Sequence, residues 1–273
     1  MKKILLFLFL PIVSCSPKIG SSIINSQQKL NNTDHILVLQ FGDEQKIDGI
    51  KVGKISSTDA GFSMNCSYYE IIEPLIELAR QNGANIIKIT EHKTADTWSS
   101  CERIKADIYQ VKDYKKYERE IAWSKNRKLT WEDFKGTVKI MKNENEAALT
   151  YCGFSFQSNR VTSFKNAKVF VKNTFYCDSS WVKPNQIDEK YMLEHEQRHF
   201  DLCEVYTRIL RKKLNEKKLT IANLQEETDF IFEEVSKSYI DKQEEYDTKT
   251  EHGLNKKQQG IWNSYIIQQI GLD

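Results

Sequence analysis

No part of the chain constrains its structure more than residues 193–201, which read LEHEQRHFD. On a helix, which turns by about 100° per residue, His195 and His199 lie roughly 40° apart on one face. Two imidazoles one turn apart can bind a single zinc ion, and Glu196 can accept a proton from a water on that ion. The spacing therefore predicts a helix that carries a zinc site.

The helix around this motif is predicted over residues 189–214, with Asp188 as its N-cap. Measured from His195, its apolar residues and His199 fall within a stripe of roughly 140°. The two histidines thus lie on the face that turns toward the core, where packing holds metal ligands rigidly. The alternative is a pair of hydrogen-bonded core histidines without a metal.

The two histidines need a third ligand, because a catalytic zinc usually takes three protein ligands and a water. Asp201 lies roughly 200° beyond His199 on the same helix, so it points away from the ion. A second helical pattern covers residues 221–246, and the third ligand is expected just beyond it. His252 is favoured because imidazole suits zinc and Gly253 permits a sharp turn. Three acidic residues remain as alternatives: Glu244, Glu245 and Asp247.

The chain as a whole predicts an α+β fold in two parts. A small α+β module is expected over residues 35–112, followed by a charged linker at 113–128. Residues 129–273 form the second domain, with a few antiparallel strands and two long helices, the first of which carries the histidines. Strands are expected at 36–41, 52–55, 85–90, 101–111, 147–156 and 169–176, and a helix at 69–81.

The first residues read as an export signal. Two lysines precede a short apolar run, and a small residue stands just before Cys15, a pattern that resembles a bacterial lipobox. The resemblance implies a lipoprotein signal peptide at residues 1–15 and a lipid on Cys15, which would anchor the chain to the bacterial envelope. We expect an outer membrane anchor facing the periplasm, with residues 16–34 as a tether. The alternative is an ordinary signal peptide.

Five cysteines remain once Cys15 is assigned to the anchor. An exported chain meets an oxidising compartment, where disulfides form. Two pairs lie within the predicted domains and are expected to be disulfides: Cys66 with Cys101, and Cys152 with Cys177. Cys203 is then left over.

Four blocks of the second domain resemble a known family. They are LxWxDFxG at 129–136, LxHEQxHFD at 193–201, YDxxTxHG at 246–253 and QxxW at 259–262. Together they look like an uncharacterised bacterial family regarded as zinc-dependent proteases of the zincin type. The resemblance implies a zinc ion and zincin roles for His195, Glu196 and His199. The N-terminal module resembles small periplasmic α+β modules of envelope lipoproteins.

The expected activity is hydrolysis of peptide bonds in envelope proteins or peptides, with Glu196 as the base. Tyr246 is a candidate oxyanion donor, with plain packing as its alternative. Two other functions stay open: a zinc-binding envelope interaction lipoprotein without turnover, and a zinc hydrolase of another amide such as peptidoglycan. The formal net charge of +2, from 40 basic and 38 acidic residues, gives no electrostatic reason to expect a nucleic acid partner.

Overall fold

The computed structural model describes residues 17–59, 66–96, 99, 101–138, 147–158, 167–184 and 190–271. The predicted signal peptide with Cys15, and the predicted N-cap Asp188, lie outside these residues. The chain divides into two compact units, Met1–Tyr114 and Lys115–Asp273. Both contain helices and strands, which confirms the α+β class. Among the described helices, none has the length and apolar character needed to cross a bilayer.

The first unit is a five-stranded sheet with one helix. Its strands occur in the order β1-β3-β5-β4-β2, where β2 and β4 are parallel and the other neighbours antiparallel. The elements are β1 (Lys18–Ile23), β2 (Leu37–Leu39), β3 (Ile50–Thr58), α1 (Tyr68–Gln81), β4 (Ile86–Lys93) and β5 (Arg103–Gln110).

Helix α1 covers this sheet through apolar residues spaced three and four apart. Ile72, Leu75 and Ala79 of α1 share a core with alternate residues of the strands, such as Ile104 and Ile108. Burial of these side chains removes apolar surface from water and so supplies the main stabilising free energy of the unit. The disulfide predicted between Cys66 and Cys101 is present in this core.

The prediction of a tether over residues 16–34 is wrong from Lys18 to Ile23. This segment is strand β1, which pairs antiparallel with β3 at the edge of the sheet. Its side chains are exposed or half-buried, and only Ile19 and Ile23 pack against the core. An edge strand buries so little that its polar composition resembled that of a linker.

The predicted linker at 113–128 contains the boundary between the units, but most of it belongs to the second unit. Strand β6 (Glu120–Ala122) pairs with a strand of that unit. Arg127 is half-buried and forms ion pairs of 2.7 Å with the buried Glu118 and Asp133. Two of the charged residues that suggested a solvated segment, Glu118 and Arg127, therefore pair with each other within the second unit.

The second unit combines two small sheets with three helices. A three-stranded antiparallel sheet has the order β6-β9-β8, and β7 pairs with β10. Helix α2 packs against strands β8 and β9 and against helices α3 and α4. The bounds are β7 (Ala148–Leu149), β8 (Cys152–Ser158), β9 (Val169–Tyr176), β10 (Trp181–Val182), α2 (Lys190–Asn215), α3 (Leu224–Thr250) and α4 (Lys256–Ile270). The two long helices were predicted and α4 was not.

The predicted disulfide between Cys152 and Cys177 does not form, and both residues are free thiols, as is Cys203. The antiparallel register places Cys152 opposite Phe175, two residues before Cys177. Such diagonal neighbours lie ~7–8 Å apart, whereas the Cβ atoms of a disulfide lie ~3.5–4.5 Å apart. Cys152 instead packs beside Cys203 of α2.

Candidate metal centre

Three side chains from α2 and α3 converge on one point. The Nε2 atoms of His195 and His199 lie 3.1 Å apart. Asp247 Oδ1 lies 3.3 Å from the first and 3.0 Å from the second. Asp247 was one of the alternatives considered for the third ligand, and the structure brings it, rather than His252, to the histidine pair. Among the described residues, these three form the one group of His, Cys, Asp or Glu side chains that is placed to hold a metal ion.

The triangle of these three atoms has the dimensions of one face of a metal coordination shell. Ligands bound at ~2.0–2.1 Å to a tetrahedral zinc are ~3.3 Å apart. The observed separations of 3.0–3.3 Å are close to that value. Three protein atoms leave a fourth position open, as catalytic zinc sites do.

Gln243 of α3 determines which nitrogen His199 presents to this point. The Gln243 amide nitrogen donates to the carbonyl of His199 at 3.1 Å and to the hydroxyl of Tyr239 at 2.8 Å. Its oxygen therefore faces the imidazole and accepts the Nδ1 proton of His199 at 2.7 Å. A proton on Nδ1 leaves the Nε2 lone pair of His199 free for a metal.

Gln259 of α4 does the same for His195. Its amide nitrogen donates to the Tyr246 hydroxyl at 2.7 Å and to Asn263 Oδ1 at 2.9 Å. Its oxygen accepts the Nδ1 proton of His195 at 3.0 Å. When neutral, both imidazoles are thus fixed as the tautomer with a free Nε2 lone pair, and two nitrogens and a carboxylate oxygen then meet without a proton between them. Such an arrangement is repulsive unless a cation occupies it.

The electrostatics of His199 and Asp247 agree with a cation site. Burial lowers the pKa of His199, but the hydrogen bond and the charge of Asp247 outweigh burial and raise it to about 9. Burial raises the pKa of Asp247, but hydrogen bonds and charge from both histidines outweigh it and hold this pKa below its usual range. In the absence of a metal, a proton on His199 supplies the positive charge.

Glu196 is buried beside its neighbouring histidine with one oxygen unused. Its relative exposure is 3 %. No described residue makes a hydrogen bond to Glu196 Oε2. Its backbone carbonyl accepts from Thr150 Oγ1 at 3.2 Å, which ties the helix to the end of β7. A buried carboxylate oxygen without a partner is costly, and one next to a metal group is available to accept a proton.

The interpretation of His252 as third ligand does not fit the geometry. Its side chain is 63 % exposed, and its Nδ1 lies 3.8 Å from the other oxygen of Asp247. Gly253 approaches the site instead, because a Cβ there would lie 3.2 Å from Cγ of His195. The α3 helix continues to Thr250, four residues further than predicted, so Asp247 sits on a rigid helix. Glu244 and Glu245 are exposed.

Tyr246 does not occupy the position of an oxyanion donor. It is fully buried, and its ring stacks on that of His195 with centroids 4.8 Å apart. Its hydroxyl donates to the carbonyl of His195 at 3.2 Å and accepts from Gln259. On α3 the residue next to Asp247 points about 100° away from it, toward the contact between helices. The alternative considered for Tyr246, packing in the core, is therefore the one that its contacts support.

The other polar residues of the HEQxHFD block hold the helix in place. Asp201 accepts from Trp123 Nε1 at 2.8 Å, from Gln197 at 2.9 Å and from Arg198 at 2.7 Å. The Gln197 oxygen accepts from the backbone N–H of Leu129 at 2.8 Å, so it links this block to LxWxDFxG. As expected from its helical angle, Asp201 faces away from the metal group.

The LxWxDFxG block at 129–136 shapes the local backbone and supplies no metal ligand. Thr130 and Asp133 form a capping box around a 3₁₀ turn, Trp131–Asp133. Gly136 is required because a Cβ there would lie 2.8 Å from the carbonyl oxygens of Asp178 and Ser180.

Of the two glutamines of the centre, Gln243 was missed in the sequence, and Gln259 was noted only in the QxxW block, without a role. Tyr239, Gln243 and Asp247 recur every four residues and so share one face of α3. That polar row was the available signal for both Gln243 and Asp247.

Comparison with protein families gives one match. Residues 140–253 match the model of the family "Bacterial protein of unknown function (DUF922)". The matched segment includes His195, Glu196, His199 and Asp247 and ends at Gly253, before α4. It is consistent with the expected resemblance to an uncharacterised bacterial family. Neither curated proteins nor solved structures gave a match.

Proposed function

We propose that the second unit is a zinc-dependent metallopeptidase, with His195, His199 and Asp247 as the zinc ligands. The observation that carries the proposal is the convergence of three metal-ligating atoms within 3.3 Å beside the buried Glu196, whose Oε2 accepts no hydrogen bond from the described residues. A zinc ion bound there supplies Lewis acidity, which polarises a carbonyl and lowers the pKa of a coordinated water.

Glu196 is the proposed general base and acid. Its Oε2 takes the proton of the attacking water and then delivers that proton to the leaving amine. Burial keeps bulk water from competing for the carboxylate, while the Thr150 contact fixes the backbone that carries it. A purely structural site is closed by four protein ligands and needs no base, so three ligands with a free carboxylate favour catalysis over a structural role.

The proposed substrates are peptide bonds of envelope proteins or peptides. Export is supported by the Cys66–Cys101 disulfide, because such bonds persist in oxidising compartments. The lipid on Cys15 would hold the enzyme at the envelope membrane, facing the periplasm. Peptidoglycan amides are the alternative substrate, and cleavage of purified peptidoglycan but of no peptide would favour them.

The experiment compares zinc content and hydrolysis in one set of proteins. Residues 16–273 and the variants Glu196→Gln and Glu245→Gln are purified, zinc is quantified, and cleavage of casein and a peptide library is measured. Glu196→Gln is expected to keep its zinc and lose hydrolysis, because the amide cannot accept the proton. Glu245→Gln changes an exposed residue of α3 that pairs with Lys242, and should match the parent protein.

A zinc-loaded parent protein that cleaves neither protein nor peptide would refute the peptidase. Equal activity of Glu196→Gln and the parent protein would remove Glu196 from the mechanism.

A further inference from the structure

The turn after α3 has an unusual backbone. Glu251 and His252 both have φ of 52°, and Gly253 follows with φ of 85°. The left-handed region is unfavourable for residues with a Cβ, so two of them in succession cost free energy. Strain of this kind persists where surrounding contacts impose it, and it clusters at functional sites.

Two contacts join this turn to the metal centre. The N–H of His252 donates to the carbonyl of Asp247 at 2.9 Å. The Cα of Gly253 packs against the ring of His195, where a Cβ would meet Cγ at 3.2 Å. The turn is therefore fixed to two of the three proposed ligands, and the position of His252 relative to them is defined.

The imidazole of His252 lies on the open side of the centre. The side chain of His195 is only 3 % exposed, whereas Asp247 is 30 % and His252 63 % exposed. Asp247 turns Oδ1 to the histidine pair and Oδ2 toward His252, whose Nδ1 lies 3.8 Å away. The solvent-exposed part of the centre therefore consists of Asp247 and the neighbouring imidazole of His252.

We propose that His252 contacts the substrate and donates a hydrogen bond to the carbonyl oxygen of the scissile peptide bond as negative charge develops on it. This inference rests on the proposed peptidase function. The imidazole is exposed, carries an N–H in every protonation state, and lies 3.8 Å from Asp247 Oδ2, which is beyond hydrogen-bond distance. Tyr246 cannot take this role, because its buried hydroxyl is bound to the carbonyl of His195.

Two substitutions at position 252 separate the side chain from the backbone. His252→Asn keeps an N–H donor, and asparagine tolerates the left-handed region. His252→Gly removes the donor without backbone strain. On a peptide substrate chosen from a library, we expect His252→Gly to lower kcat about 100-fold, since loss of one oxyanion donor typically costs about 10²–10³-fold. KM should change less than about threefold, and His252→Asn should recover part of kcat.

Glu251→Gly is the matched control, because it relieves the same φ of 52° one residue earlier and leaves the imidazole in place. It should keep the kcat of the parent protein. All three variants should retain zinc. The unfolding midpoints of the two position-252 variants should differ from that of the parent protein by no more than the midpoint of Glu251→Gly does.

Different failures have different meanings. Loss of zinc from His252→Gly would make His252 a ligand and overturn the inference. Unchanged kcat in His252→Gly, or an equal fall in Glu251→Gly, would overturn it as well while the peptidase stands. If the parent protein cleaves no substrate, the proposed function itself fails.

Discussion

Gln243 binds His199 at two points, accepting its Nδ1 proton at 2.7 Å and donating to its backbone carbonyl at 3.1 Å. The side chain that orients the imidazole thus also fixes the helix turn that carries it. Gln259 orients His195 from a different helix. Both partners are neutral amides, so the charge of the centre comes from Asp247 and Glu196.

Gln243→Leu should weaken zinc binding while the fold remains. Leucine fills similar space but cannot accept the Nδ1 proton, so the ring loses its fixed tautomer. Loss of such a partner typically lowers metal affinity about 10–100-fold. The zinc dissociation constant, measured by chelator competition, tests this, with Gln225→Leu on the exposed start of α3 as control. Equal affinities in all three proteins would show that Gln243 has no influence on the metal.

Asp247→Ala should lose zinc more completely than Gln243→Leu, because it removes a ligand rather than its support. The same measurement on Glu244→Ala and Glu245→Ala should give the zinc content of the parent protein, since both side chains are exposed. Full zinc in Asp247→Ala would mean that another residue completes the centre.

Metal-free protein should lose stability as the pH rises. The folded pKa of His199 is about 9, above the unfolded value of 6.5. Protonated His199 therefore stabilises the folded protein fully below about pH 6.5, and this stabilisation is lost as the pH rises through 9. The loss in the free energy of unfolding is at most about 3 kcal/mol. Urea denaturation at pH 6 and pH 9.5 tests this. Zinc-loaded protein is the control and should lack this dependence, because the metal replaces the proton. An equal loss with and without zinc would assign the effect to another group.

Gly253→Ala should destabilise the protein and weaken zinc binding together. Alanine at φ of 85° is strained, and its Cβ would press on the ring of His195. We expect the free energy of unfolding to fall by about 2 kcal/mol, because backbone strain and a steric clash both act on the folded state. Gly42→Ala is the control, because Gly42 has φ of 93° but no atom within 4 Å of the added Cβ. Zinc affinity should fall in the first variant only, and an equal effect in both would exclude the contact with His195 as the cause.

Residues 16–273 should contain one disulfide and three thiols. Alkylation of the denatured, unreduced protein followed by mass spectrometry should label Cys152, Cys177 and Cys203 and leave Cys66 and Cys101 linked. A peptide that links Cys152 to Cys177 would contradict the strand register described above.

The metal helix could be predicted because its signal is local. Histidines four residues apart and an apolar stripe both depend only on the 3.6-residue period of a helix. The third ligand depended on where α3 ends. Chemical preference favoured His252, but α3 continues through Asp247 and a left-handed turn then directs His252 outward. That turn packs against His195, which lies more than fifty residues earlier in the chain, so the contact is not visible in the local sequence.

Nonlocal contacts also explain the other differences. Strand β1 is held by its pairing with β3 rather than by its own apolar residues. Helix α4 buries only Gln259, Trp262 and Ile266, too few to give a clear pattern. The Cys152–Cys177 pairing failed because a two-residue offset in strand register is invisible in the sequence.

The dependence of His195 on Gln259 has a consequence for the order of events in synthesis. A chain that emerges N-terminus first can complete the five-stranded unit long before α4 exists, and until α4 docks one imidazole has no fixed tautomer. The hydrogen bond from Gln259 to Asn263 can form only after residue 263 has emerged. Under the proposed function, a nascent or translocating chain would lack the complete centre and could not cleave itself before α4 has docked.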